Sequence, residues 1–420
     1  MVSDMRAMKD SGIEWVGEIP KSWDTMANKY VMSKIKHVNP IYQGEDILSL
    51  TMNGVVVRDL DAGGKMPSSF DGYQALYPGN LLMCLFDYDV TPRCIGLIKN
   101  DGVTSPAYSQ FVMKDGFSAN YYYYYYLMVD HTKALLHRAK NLRHSFTEDQ
   151  LGAIAVPVPS WDEQEAIADF LDSKCAEIDA LSADIQSEID TLEAYKRSVI
   201  TEAVTKGLDK NVEIKDSDVF YMAPYNAAWR LSKIGYECTK LWRSFLPEDI
   251  PLLCTNKGKI AIRPEEMSGR MVSEDNAMQG IHKGDIAIHG MDTWHGAIAL
   301  SEYNGKITRV VHVCDSHNDK RFIVYYLQQL AFNGVYKLIS NGVRGNTSDF
   351  RSWDKTGDIY IVLPSIEEQV KIANYLDSMC KQVEDIIAQK QEQLAVLADY
   401  KKSIIYEYVT GKKEVPSVEV

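Results

Sequence analysis

What the chain lacks narrows its chemistry first. No stretch approaches the roughly 18 uncharged apolar residues of a membrane span, and Asp4, Arg6, Lys9 and Asp10 mark an N-terminal segment with no apolar run behind it. The expectation is a soluble, cytoplasmic protein with no membrane partner. Cysteine is sparse, 7 in 420 residues, with no C-x-x-C pair and no grouping with the 9 histidines at zinc spacing. Neither a disulfide framework nor a metal site is expected. N-P-P-Y and D-P-P-Y motifs, a glycine-rich fingerprint opening a helix, a G-x-x-x-x-G-K-[ST] loop and an H-E-x-x-H pair are all missing. Glu213-Ile214-Lys215 matches the E-x-K end of some nuclease sites but has no upstream Pro-Asp, and is set aside. The chain is therefore expected to bind no cofactor of its own and to be non-catalytic.

An excess of charge of either sign is missing from most of the chain. The net charge is −13, from 45 basic and 58 acidic residues. Residues 159–206 hold 12 acidic against 4 basic residues and residues 364–411 hold 8 against 5, so everything else is nearly neutral. An anionic partner would meet that remainder, where Arg and Lys can gather on one surface. With 45% apolar and 25% charged residues the composition is that of an ordinary globular protein, and the length suggests about two to four domains.

The two acidic segments are copies of each other. Pro159–Thr205 aligns without gaps on Pro364–Thr410, with 20 of 47 positions identical, among them Glu163/Glu368, Gln164/Gln369, Leu171-Asp172-Ser173/Leu376-Asp377-Ser378 and Tyr195-Lys196/Tyr400-Lys401. Near the N-terminus Lys9-Asp10-Ser11 with Trp23 recurs as Lys215-Asp216-Ser217 with Trp229. Scattered matches between, such as Gly79-Asn80 with Gly284-Asp285 and Asp87 with Asp292, keep nearly the same offset. The chain is a tandem duplication of a divergent body followed by a similar helix, which implies one assembly geometry carrying two different binding surfaces.

Within each copy apolar residues recur at heptad spacing. Leu171, Ile178, Ile185, Leu192 and Val199 take a positions with Leu181 and Tyr195 at d; the second copy has Leu376, Val383, Leu397 and Ile404 at a with Met379, Ile386 and Tyr400 at d. Lys174, Glu188, Glu202, Gln393 and Glu407 interrupt d, and Lys390 interrupts a. Ile189 and Leu394, off that seam, suit a further partner helix. Each segment opens on Pro-Ser and an acidic first turn and closes near Gly207 or Gly411. About 45 helical residues span roughly 65 to 70 Å, enough to hold two domains apart over about two turns of B-DNA.

The bodies, about residues 10–156 and 212–362, mix short β-like runs with a few helical stretches, each a small α/β domain. The loop Asp87-Tyr88-Asp89-Val90-Thr91-Pro92-Arg93 follows one run, and Asp292-Thr293-Trp294-His295 holds the same place in the second copy. Such side chains suit base-edge reading, and equally a solvated turn. Asn141, Arg143, His144 and Ser145, and Arg344, Asn346 and Thr347, lie just before the helices and offer donors suited to phosphates. Arg58, Asn256 and Lys257 complete the candidate DNA-contact set. The six tyrosines Tyr121 to Tyr126 correspond to an apolar run, Phe322 to Leu327, and so read as a packed helix with hydroxyls at its rim rather than a base-stacking platform.

Taken together, Lys9-Asp10-Ser11-Gly12-Ile13-Glu14-Trp15 through Trp23, Leu48-Ser49-Leu50-Thr51, Val90-Thr91-Pro92-Arg93, and Pro159 through Ala203-Val204-Thr205-Lys206-Gly207 resemble the specificity subunit of Type I restriction-modification systems over nearly the whole chain. The resemblance implies an α+β chain: target recognition domains at 1–157 and 209–362, helices at 158–208 and 363–412 forming an antiparallel coiled coil with pseudo-twofold symmetry, and a tail at 413–420. It implies that each domain reads half of a bipartite, asymmetric site in double-stranded DNA, with the helices acting as a ruler. Two methyltransferase subunits would dock on the helices, whose pairing and docking residues are Leu171, Ile178, Leu181, Ile185, Leu192, Tyr195, Leu376, Val383, Ile386, Leu397 and Tyr400. S-adenosylmethionine, ATP and Mg2+ belong, on this reading, to the methyltransferase and to restriction/motor subunits. The second body departs from the first, having no counterpart of Thr91-Pro92-Arg93 after Asp292, so the halves should read different sequences. The alternatives are a coiled-coil scaffold that never touches DNA, and a stand-alone nuclease or methyltransferase with an unrecognised site.

Overall fold

A computed structural model describes residues 6–61, 67–139, 144–264, 277–340 and 348–416. The chain forms two compact units, one of residues 1–185 with 392–420 and the other of residues 186–391. The repeat boundary near residue 208 is therefore not the boundary of the packed units: each body is completed by one stretch from each long helix.

In the first unit an antiparallel four-stranded sheet runs in the order Ile95–Leu97, Leu81–Met83, Ser109–Met113, Met32–Ile35. Beside it lie a three-stranded sheet (Gly102–Thr104, Gln74–Leu76, His37–Val38) and the hairpin Leu48–Thr51/Gly54–Val57. The ribbon Asp24–Ala27 with Ala155–Val158 leads the chain into the central helix, Trp161–Lys206. Helix Ala119–His131 starts at the N-cap Ser118, whose hydroxyl accepts from Tyr121 N–H, and buries its tyrosines in the core.

The tyrosine run is a core helix, as its sequence context suggests, but its hydroxyls are not rim groups. Tyr121 donates to Val409 O (2.8 Å), Tyr122 to Pro157 O (3.0 Å) and Tyr124 to Asp172 Oδ1 (2.6 Å). Tyr125 accepts from Trp15 Nε1, Tyr126 from Asn28 and Tyr123 from Arg93. Each of the six phenol oxygens thus has a partner, which is what lets so many polar rings be buried together.

The second unit repeats this plan. Its four-stranded sheet runs Cys238–Lys240, Val311–Ser316, Ile286–His289, Ile298–Leu300, joined by the pairs Met278–Ile281/Gly305–Thr308 and Leu252–Cys254/Ile260–Ile262 and by the ribbon Arg230–Lys233/Tyr360–Leu363. Helix Lys320–Phe332 is N-capped by Asp319, and the C-terminal long helix is Ile366–Val409.

Both units contain an antiparallel helix pair. In the first, Phe170 stacks on Tyr408 with ring centroids 4.4 Å apart while Asp179 binds Lys401 at 2.6 Å; in the second, Glu188 meets Lys390 and Lys196 binds Glu384 at 2.6 Å. The seam differs from the sequence assignment. Leu171, Ile178, Ile185, Leu376 and Val383 are buried and Leu192 and Leu397 half-buried; of the residues expected at d Met379 is buried, but Leu181 (49% exposed), Tyr195 (53%), Ile386 and Tyr400 face outward. The second row of the seam lies four residues after each of the first rather than three: Cys175, Ser182, Ile189, Lys196 and Ala203 in one helix, Cys380, Ile387, Leu394, Lys401 and Tyr408 in the other. In heptad terms Leu171 is a d residue. Small or charged residues in the true a row, Ser182 and Lys196 above all, hid it from a reading that sought large apolar pairs.

Candidate nucleic-acid interface

In the first unit the strand Leu81–Met83 exits into a loop that returns through Cys94, with Cys84 N donating to Cys94 O at 2.9 Å. Asp87 opens the loop in the left-handed region (φ 46°), where a side-chain-bearing residue is unfavourable. Two sequence-distant candidate segments meet here. Tyr88 N donates to His144 O at 3.3 Å, Phe146 N to Leu85 O at 2.7 Å, and His144 Nδ1 lies 3.0 Å from Asp89 Oδ2.

Several candidates face inward. Tyr88 is a core residue, its ring edge-on to Phe146 at 5.4 Å with Lys133 Nζ 4.7 Å from its centroid, and burial pushes its phenol far above the usual range. Arg93 spends its guanidinium on Ile95 O, Met52 O and Tyr123 OH, so it braces the loop and is not a free guanine reader. Thr91 O accepts from Lys133 Nζ at 2.7 Å. Asp87 and Thr91 are partly exposed, as are Arg58 and Ser145, each engaged in further contacts. Asn141 and Arg143 lie outside the described residues.

The second unit places Asp292–His295 at the matching strand exit, after Ile286–His289. Thr293 is wholly buried and donates to Ser348 Oγ at 2.8 Å, which removes it from the reading set; Ser348 N in turn donates to Met291 O at 2.8 Å. Backbones close in tightly here, since a Cβ on Gly290 would sit 2.7 Å from Phe350 O. Asp292 is half-exposed, 3.3 Å from His289 Nδ1 and 3.9 Å from the exposed His295 Nδ1. Trp294 is partly buried under Lys337. Asn256 and Lys257 are exposed on the tight turn closed by Gly258 N to Thr255 O at 3.0 Å. Arg344, Asn346 and Thr347 lie outside the described residues.

In each unit, then, the strand-exit loop packs against the segment that leads toward the long helix. Sequence reasoning missed the residues that hold it there. Asp130, 5% exposed, accepts from Cys94 N with Oδ2 (2.9 Å) and from Lys133 Nζ with Oδ1 (2.6 Å). Burial disfavours the Lys133 charge, but the Asp130 carboxylate outweighs it and holds the ammonium above its ordinary range. The clue was a carboxylate and a lysine three apart at a helix end, a pattern too common to single out.

The frame around these loops is the same in both units. Gln164 Oε1 accepts from Ser118 N (2.8 Å) and its Nε2 donates to Pro159 O (3.0 Å); Gln369 Oε1 accepts from Asp319 N (3.0 Å) and its Nε2 donates to Pro364 O (3.0 Å). Tyr325 donates to Asp377 Oδ1 at 2.8 Å as Tyr124 does to Asp172. Among the described residues no three His, Cys, Asp or Glu side chains are grouped to hold a metal ion, and no helix is long and apolar enough to cross a membrane.

No family model matches the chain. It is 24% identical over 298 residues, 67% of its length, to a Methanocaldococcus jannaschii protein named "Putative type I restriction enzyme MjaX specificity subunit", and the match spans 64% of that relative, just under two thirds. A chain from the solved structure "Structural basis underlying complex assembly and conformational transition of the type I R-M system" superposes with a TM-score of 0.66 at 13% identity, covering 94% of this chain and 99% of that one. The HsdS subunit from Thermoanaerobacter tengcongensis covers 94% of this chain and 98% of its own at a TM-score of 0.47 and 14% identity. The chain thus shares the α+β fold, with its long helices, of a type I restriction-modification chain, and in sequence it resembles a specificity subunit.

Proposed function

We propose that this chain is the DNA-recognition subunit of a Type I restriction-modification complex. It reads a bipartite, asymmetric site in double-stranded DNA, one half through each unit, and positions two methyltransferase subunits, with restriction/motor subunits joining in the full complex. It performs no chemistry itself; S-adenosylmethionine, ATP and Mg2+ reside on those partners. The observation that carries this reading is the contrast within the molecule: the Gln164/Gln369 caps, the Tyr–Asp bonds and the Lys–carboxylate bridges recur in both units, while the loops that begin at Asp87 and Asp292 share almost nothing. A frame used twice with different loops suits two readers of different sequence on one scaffold.

Partner docking is supported by a second repeat. Leu181 and Tyr400 are exposed on the helix pair of the first unit and Ile386 and Tyr195 on that of the second, each pair occupying related positions. Matching exposed apolar residues in both units suit two copies of one partner. The test is exchange of the first body, residues 10–156, for that of a relative reading another sequence, followed by sequencing of adenine methylation in the host. One half-site should change and the other persist. Simultaneous change of both, or no dependence of methylation on the chain, would overturn the reading.

A further inference from the structure

The loop Asp87–Arg93 is held more firmly than a surface turn needs. The residues outside glycine with positive φ among the described ones are Asp87 (46°), Lys133 (49°) and His144 (42°), and all three belong to this one cluster. Left-handed backbone at a side-chain-bearing residue persists only where surrounding contacts over-determine it. Those contacts are visible here: Lys133 Nζ binds Thr91 O at 2.7 Å and Asp130 Oδ1 at 2.6 Å, while Asp130 Oδ2 takes Cys94 N at 2.9 Å. Both sides of the loop are thereby tied to the end of helix Ala119–His131 by one ion pair, the carboxylate of which is buried.

With Tyr88 turned into the core and Arg93 used as a brace, the loop still offers one exposed polar pair. Asp89 and His144 have side chains 34% and 40% exposed, and His144 Nδ1 faces the Asp89 carboxylate at 3.0 Å. His144 Nδ1 makes no hydrogen bond despite that approach, and the Asp89 carboxylate keeps its acceptor capacity. What the pair presents is a carboxylate acceptor with an imidazole beside it. In the major groove a G·C pair offers the complement of a carboxylate, the amino donor at cytosine N4.

We propose that Asp89, flanked by His144, is a specificity-determining contact that accepts from cytosine N4 of a G·C base pair in the half-site read by the first unit, and that Lys133 with Asp130 is the positioning pair that presents it. This rests on the DNA-recognition reading above. Lys133 touches no base; it acts through the loop.

The test uses the intact assembly, purified from its host through a tag on this chain and incubated with a pool of random-sequence duplexes, the bound fraction being sequenced. The wild-type assembly should enrich a bipartite motif containing at least one G·C position in the first unit's half. His144→Ala and Asp89→Ala, both surface changes, should relax preference at that position by roughly tenfold and leave the other half-site intact. Lys133→Met should blur the whole first half-site, and Lys133→Arg, which keeps the charge at Asp130, should restore it. An unchanged motif in His144→Ala and Asp89→Ala, or equal loss of both half-sites in Lys133→Met, overturns the inference while the recognition role stands. Absence of any enriched motif with the wild-type assembly overturns the recognition role and this inference with it.

Discussion

Lys196 Nζ lies 2.6 Å from Glu384 Oε1 in the second unit, and Lys401 Nζ lies 2.6 Å from Asp179 Oδ1 in the first. These four residues are related by the repeat, and the helices exchange roles: the central helix supplies the lysine in one unit and the carboxylate in the other. Each body is therefore closed by the front half of its own helix and the rear half of its neighbour's copy. Burial alone would raise the Glu384 carboxyl, but hydrogen bonds from Lys196 and Lys259 outweigh it and hold it below its ordinary value.

The lysines sit on seam positions, and the Lys196–Glu384 pair is the more shielded, with side chains 26% and 38% exposed; it should couple by about 0.5 to 1 kcal/mol, at the upper end for a surface pair. A double-mutant cycle of Lys196→Met and Glu384→Gln, read by denaturant melts, measures the coupling. A coupling energy of zero would mean the lysines are tolerated in the seam rather than used there.

Gln164 and Gln369 are buried and each satisfies backbone groups at a helix start. Gln164→Ala or Gln369→Ala leaves those groups unpaired and should cost about 1 to 3 kcal/mol. Thermal unfolding should fall in both variants by similar amounts. A loss confined to one would show that the two caps are not equivalent in energy despite equivalent geometry.

Glu237 is 4% exposed, and although burial raises a carboxyl, its bonds to Arg230 (2.8 Å), Ser232 and Asn318 (2.9 Å) bring it down to about 2. A lowered folded-state value stabilises above the unfolded value near 4.3 and is lost as pH falls from there toward about 2. The contribution at neutral pH is on the order of 3 kcal/mol. Urea melts at pH 7 and pH 3 should show a stability drop that Glu237→Gln lacks; an identical pH dependence in the two proteins would refute the assignment.

Leu181→Asp and Ile386→Asp alter exposed side chains, so the stability of the isolated chain should move by no more than about 0.5 kcal/mol. Recovery of methyltransferase with the tagged chain should fall by about half for each single change and nearly vanish for the double. Full recovery with the double variant would place docking elsewhere.

The net charge of −13 argues that the chain alone holds DNA weakly. The complete assembly should bind its site tightly, with log affinity falling linearly as log salt rises. Binding that ignores salt between about 50 and 200 mM would count against phosphate contacts as a major term.

The sequence by itself determined the duplication, the two long helices, the absence of familiar catalytic motifs and the core role of Tyr121 to Tyr126, because repeats, periodicity and composition are local or self-comparing signals. Only tertiary structure decided which face of each helix is the seam, since a heptad of large residues at one row fits two registers and the other row held Ser182, Lys196 and Cys175. It also decided that Tyr88, Arg93 and Thr293 turn inward while Asp89 and His144 face out. The side-chain direction of a loop residue depends on contacts such as Lys133 with Thr91, made by residues 42 apart in the chain, and no reading of neighbours along the chain contains them.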